Sequence, residues 1–470
     1  MSSSTFAPTR SIAREPSRLQ ALIWLGLFAG AAALLGGSSR FDAVHIAALR
    51  PVAALFLIPA FYWISREKLG EARAPMTMLA LMALWTALQL VPLPPSIWQA
   101  LPGRGVIAEL DALHGLEGNW RPISYVPMRG FNALFALVVP AAGALLLLAL
   151  RPGIWAVFWA IAALGVVDAA LGLAQILFGP GNPLYFYTHT NAGAAVGIFA
   201  NENHSGVFSA LALLVIARLG LDRSRPGRSR LSSIALTAAF VLVLLALLVS
   251  ASRAALGVGL AALLASSLMA LLWSRRAELA RAKSGGMAFF ARNPRTALIV
   301  GVAVVFALLY ALMQFERAPG VIDTFEQSAF EDLRWRIVPI LSEMMSRHWL
   351  VGTGFGTFDA LYLLYEPTEF MGPAYVNQAH NDWAQLVIEG GLPAVALIAA
   401  FSIWAMLAIR GLFAREPEAL ARCVFWCAIA AILAVASLFD YPLRTPTFQL
   451  VAAWLVIALA LERRNASKQH

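Results

Sequence analysis

The chain is expected to be all-α: a polytopic membrane protein of about twelve transmembrane helices. Three observations predict this. Hydrophobic residues make up 60% of the 470 positions and charged residues only 13%. The apolar residues fall into repeated runs of about the 20-residue length a membrane span requires. Basic residues collect in alternate gaps between those runs, the pattern expected of cytoplasmic loops.

The runs lie near 19–37, 44–64, 75–93, 131–150, 153–178, 202–219, 231–250, 254–273, 296–314, 383–408, 421–439 and 447–462. Arg10, Arg14 and Arg18 before the first run resemble the start of a secretory signal. The many spans that follow favour a retained first helix instead. Arg66, Lys68 and Arg73, then Arg218, Arg223, Arg225, Arg228 and Arg230, then Arg275, Arg276, Arg281 and Lys283, then Arg410, Arg415 and Arg422 mark the cytoplasmic loops. The net charge of +9 therefore reports topology beside an anionic leaflet rather than nucleic-acid binding. Cys423 and Cys427 stand one helical turn apart inside a run and read as small packing residues.

With the N-terminus inside, the loops at 94–130, 179–200 and 315–382 fall on the non-cytoplasmic face. The expected organisation is one integral membrane domain, 1–470, with 315–382 a large outer loop carrying part of a site. In the first loop, prolines after Val91 end a helix, and Trp98, Trp120 and Tyr125 suit a headgroup zone. In the third, Glu331 to about Met345 reads as an amphipathic helix able to lie on the bilayer.

The unusual polar residues collect on this outer face. Asn201, Asn203 and His204 begin the sixth run; Ser250, Ser252 and Arg253 occupy the turn between the seventh and eighth; Arg334 and Arg336 lie in the long loop; His380, Asn381 and Asp382 open the tenth run; Asp440 and Arg444 precede the last. Short outer loops are depleted of arginine, so Arg253 and Arg444 require a reason. A bound anion is one, and local pairing, such as Arg444 with Asp440, is another. Asn381 and Asp382 can orient the His380 imidazole, whereas His204 reads more readily as structural. Glu389 to Pro393 predicts a kink early in the tenth run.

Gly352, Gly354 and Gly356 alternate as in a nucleotide loop, but no strand or Walker lysine accompanies them. They read as a flexible turn or as a close approach to a phosphate or sugar. Asp168, alone in mid-span, is either a proton site or a hydrogen-bonded carboxylate between helices.

Arginines with one histidine at a membrane face suit an anionic, lipid-linked donor. Guanidinium forks bind diphosphate oxygens and stabilise a departing diphosphate. The attacking hydroxyl needs a base, and histidine titrates in the right range. The outer loops show no carboxylate pair or histidine cluster with metal-ligand spacing, so no metal or other cofactor is expected; Asp323, Glu326, Glu331 and Asp332 read as a solvated acidic stretch. The rival classes are a transporter or flippase of lipid-linked oligosaccharide, for which only Asp168 speaks, and a non-catalytic scaffold.

From about Asn191 to Arg444 the chain resembles the bacterial O-antigen ligase and O-antigen polymerase family. The resemblance rests on an ordered set: Asn201-x-Asn203-His204, Ser252-Arg253, Arg334-Trp335, the Gly352 to Phe358 glycine pattern, Ala379-His380-Asn381 with Glu389-Gly390-Gly391, and Asp440-Tyr441-Pro442-Leu443. It implies an inner-membrane glycosyltransferase of the C class, working at the periplasmic face on undecaprenyl-diphosphate-linked glycan in O-antigen or exopolysaccharide assembly. It further implies that Arg253 with Arg334 or Arg336 binds the diphosphate and that His380 activates the acceptor hydroxyl. Asn203, His204, Ser252, Gly354, Gly356, Asn381, Asp382, Asp440 and Arg444 would support them. The acceptor, lipid A-core for a ligase or another lipid-linked repeat for a polymerase, stays open.

Overall fold

The computed structural model describes residues 15–222, 225–250, 252–280, 333–370, 376–413 and 417–467. Among these, ten helices are long and apolar enough to cross a membrane. The main helices are α1 (Arg18–Leu35), α2 (Val44–Trp63), α3 (Arg73–Leu88), α4 (Pro127–Ala136), α5 (Val138–Leu150), α6 (Ile154–Phe178), α7 (Glu202–Leu221), α8 (Arg230–Val249), α9 (Arg253–Ala280), α10 (Val338–His348), α11 (Asp382–Arg410), α12 (Pro417–Phe439) and α13 (Pro446–Ser467). The α4–α5 pair forms one span, and α3 is a shorter apolar helix. The ninth predicted run at 296–314, the acidic stretch from Asp323 to Asp332, and Arg223, Arg281, Lys283 and Arg415 lie outside the described residues.

The spine of the bundle is α7, apolar on every side and buried along most of its length, as a fully enclosed helix must be. Small residues let its neighbours approach closely: Gly165 of α6 meets Ala212, and Gly206 meets Ala255 of α9. Arg218, near the end of α7 remote from His204, is buried against Phe158 and Phe425 and pairs with Glu462 of α13. Glu462 also accepts from Trp426 at 2.7 Å, so the ion pair sits in an aromatic cage.

Asp168 holds the segment that leads into α7. One carboxylate oxygen accepts from Ile198 N at 2.9 Å and the other from Ser205 Oγ at 2.9 Å. One face of α6 carries both Asp168 and Gln175, and Gln175 bonds the backbone of Val196 and Gly197. The mid-span acid is thus a clamp between helix and loop.

The 337–379 loop and the start of α11 build a second, smaller core. Ile340, Leu341, Met344, Phe358, Tyr362, Ala384 and Ile388 bury one another, so the apolar face of α10 packs on α11 rather than on lipid. The amphipathic helix expected to run unbroken to Met345 is interrupted at Ile337, because Pro339 enters the first turn of α10. Trp98, expected in a headgroup zone, is wholly buried and donates to Asn119 O at 3.0 Å; Trp120 is exposed.

The kink in the tenth run is present. Gly391 adopts φ 61°, which breaks α11 internally, and Leu392 N turns to Trp349 O at 2.7 Å.

Candidate functional site at the rim of the bundle

The starts of α7, α9, α11 and α13 gather at one end of the bundle. Asn201 caps α7 through Asn203 N at 2.8 Å, Ser252 caps α9 through Ala255 N at 3.0 Å, and Asn381 caps α11 through Ala384 N at 3.0 Å. Each cap fixes the histidine or arginine beside it. Asn381 is therefore spent on the helix rather than on the imidazole, and Asn203 is buried at the α7 entry.

Asp440, in the turn between α12 and α13, lies between two imidazoles. His204 Nε2 stands 3.8 Å from its Oδ1 and His380 Nδ1 stands 3.7 Å from the same oxygen. Burial alone pushes the Asp440 carboxyl up, but the two histidines outweigh it and hold it well below the ordinary range. A carboxylate is thus kept ionised behind His380. Tyr441 meets both rings edge-on, at 5.0 Å for His380 and 5.3 Å for His204. His204 is enclosed, with Nδ1 3.1 Å from Thr445 Oγ1. His380 keeps 24% of its side chain exposed and adopts φ 49°, a left-handed conformation uncommon outside glycine.

Arg444 does not pair with Asp440. A short 3₁₀ turn, Pro442–Arg444, directs its guanidinium to α11, where it meets Asp382 Oδ1 at 2.8 Å and Glu389 Oε2 at 3.1 Å. The two carboxylates overcome the effect of burial and hold its pKa above the ordinary value. Glu389 also accepts from Phe358 N at 3.1 Å and from Gln385 at 3.2 Å, and Gln385 accepts from Ala379 N at 2.9 Å. This chain of bonds fixes the backbone on which His380 rides.

The glycine loop is occupied by protein. Thr353 N and Gly354 N donate to Ile388 O and Glu389 O at 2.9 and 3.0 Å, across the break in α11. Gly354 faces Ser124 and Gly356 faces Arg129, and both have positive φ. Their freedom is used to seat the loop on α11 and the 124–129 segment.

The remaining arginines are placed less closely. Arg253 opens α9 beside the α7 entry, since Ala255 touches Gly206. Arg336 is exposed and its guanidinium lies over the Phe370 ring at 4.4 Å. Arg334 belongs to the turn Leu333–Arg336, and its side chain lies outside the described residues. Among the described residues, no three His, Cys, Asp or Glu side chains converge as metal ligands would.

Beneath the rim runs a cavity of about 700 Å³. Gln378, Asp382, Glu389 and Arg444 line its upper part, and Trp404, Leu433, Leu455 and Leu459 are among the apolar side chains of its deeper wall. Arg50 and Arg129 also line it, and neither was singled out from sequence. Arg50 carried a usable signal, a lone cation within an apolar run.

Residues 238–399 match the family described as O-antigen ligase. The matched stretch includes Arg253, the glycine loop, His380 and Glu389, while His204, Asp440 and Arg444 lie beyond it. No curated protein matches the chain.

Proposed function

We propose, from the match of residues 238–399 to the O-antigen ligase family, that the chain is a member of that family and transfers a glycan from undecaprenyl diphosphate to an acceptor sugar hydroxyl at the periplasmic face, without a metal. The observation that carries this reading is His380: partly open, 3.7 Å from the Asp440 carboxylate, and held between Gln378 and Asp382, which line a cavity with a polar top and an apolar wall. A prenyl chain fits the apolar wall, which leaves its headgroup at the polar end.

In this reaction His380 takes the acceptor proton as the acceptor oxygen bonds to the anomeric carbon. The bond from that carbon to the diphosphate breaks, and its electron pair leaves on the diphosphate. Arg253 with Arg334 or Arg336 stabilises the departing charge. Asp440 stabilises the imidazolium formed, and Arg444 holds Asp382 and Glu389 so that the His380 backbone stays in place. Transport gains no support from Asp168, whose two oxygens are engaged by Ile198 and Ser205.

The test is transfer by purified protein in nanodiscs, supplied with undecaprenyl-diphosphate-linked glycan and either a lipid A-core or a second lipid-linked repeat. Product on one acceptor, with donor binding weakened in Arg253→Ala, is expected. Absence of product on either acceptor, together with movement of intact donor across vesicles, would replace the reading by transport. Orientation is checked in intact cells: Ser346→Cys, at an exposed position of α10, should react with an impermeant thiol reagent and Ser229→Cys should not.

A further inference from the structure

Arg50 is the least explained charge in the described bundle. It lies in α2, six residues from the helix start and so roughly 9 Å along the axis. Its Nη1 donates to the Asn132 side chain, a neutral partner, and its buried Nε has none. No carboxylate among the described residues pairs with it. A guanidinium inside a span without a counter-charge is costly, and such residues mark paths for ions or charged substrates.

Next to it, Arg129 of α4 is bound by one carboxylate, Asp359 at 2.9 Å, and lies over the Phe41 ring. Between them the two cations have one bound carboxylate, and it belongs to Arg129. Arg50, Arg129, Asn132 and Phe41 line the 700 Å³ cavity and also a second hollow of about 420 Å³. The outer hollow is completed by Met128, Phe131 and Phe135, which expose 76%, 44% and 62% of their surface. The cations thus stand where an apolar-edged outer recess meets the inner cavity.

We propose that Arg50, with Arg129 and Asn132, forms a second anion site at a lateral portal between α2 and α4, which takes the phosphate or diphosphate headgroup of a prenyl-linked lipid entering the cavity. The site is separate from Arg253, Arg334 and Arg336, and it rests on the reading that the substrate is an anionic prenyl lipid. Asn132 spaces the guanidinium without neutralising it, so the headgroup supplies the missing charge. The exposed aromatic edge gives the prenyl chain a side entry.

The probes are undecaprenyl diphosphate, inorganic diphosphate and undecaprenol, titrated against full-length protein in nanodiscs. Arg50→Gln should bind undecaprenyl diphosphate roughly ten- to hundredfold more weakly than wild type, the usual worth of a charged hydrogen bond. Arg50→Lys should lose less, and undecaprenol should bind all variants alike. Asn132→Asp, nearly isosteric, gives Arg50 the carboxylate it lacks and should weaken headgroup binding to a similar degree, which serves if Arg50→Gln does not fold. Wild-type affinity in folded Arg50→Gln or Asn132→Asp overturns the portal and leaves the proposed function standing. Inorganic diphosphate binding as tightly as the lipid, with the same dependence on Arg50, reassigns the site to free anions and overturns the lipid entry. Wild-type protein that binds no undecaprenyl diphosphate overturns both.

Discussion

His380 and His348 both stand at the rim end of the bundle, each edge-on to a tyrosine, yet their surroundings are opposite. His348, at the end of α10, is buried, with Nε2 3.0 Å from Tyr365 OH and its ring edge-on to Tyr125 at 5.6 Å. Burial, and then Arg104 and Arg347, push its pKa down to about 4. It packs the 94–126 loop to α10 as a neutral ring. His380 has an ionised carboxylate behind it and an opening in front. What separates a packing histidine from a candidate base here is the sign of the nearest charge and one accessible edge, neither of which the residue type encodes.

The strongest way to break the contrast is to remove what holds the His380 side rigid. Arg444→Ala leaves the buried Glu389 and the partly exposed Asp382 without their cation, and breaking a buried pair such as Arg444–Glu389 costs up to about 3–5 kcal/mol. The expected result is a lower melting temperature in detergent together with lost activity. An unchanged melting temperature would mean that the rim does not depend on this triad.

The His348 side makes a pH prediction. Its folded pKa lies below the unfolded value of about 6.5, so the unfolded chain takes up the proton first as pH falls. Stability from this group is complete above about pH 6.5, declines as pH drops toward about 4, and then levels off, a change of about 3 kcal/mol at most. Hydrogen exchange of the 94–126 loop should accelerate over that window in wild type, and the window should disappear in His348→Gln. A loop indifferent to pH in both proteins contradicts the assignment.

Asp440→Asn sharpens the comparison with a smaller effect. It removes the anion behind His380 while keeping the shape, so transfer should fall roughly ten- to hundredfold with donor binding retained. Equal turnover in the two proteins would leave Asp440 a packing residue of the turn.

Most of the fold was legible in the sequence because apolar length alone marks a span, and the kink at Gly391 was announced by two glycines and a proline. The rim was legible as a set of outer polar residues, but its pairings were not. Arg444 sits four residues after Asp440, and only the 3₁₀ turn at Pro442 shows why it faces α11 instead. Gly354 and Gly356 announced backbone freedom without saying what would approach, and it is Ser124 and Arg129. Asn381 beside His380 looked like an orienting partner, whereas the backbone places Asp440, sixty residues on, in that position. Long-range partners are fixed by packing, which leaves no local mark in the chain.

Removal of the acceptor proton by His380 is tested on one preparation of His380→Ala, with melting temperature, donor binding and transfer measured together in nanodiscs. A general base contributes about 10²–10⁴-fold, so transfer should fall by that factor while melting temperature and donor affinity stay at wild-type values. Stable His380→Ala protein with wild-type turnover would contradict the assignment and remove the residue on which the site is built.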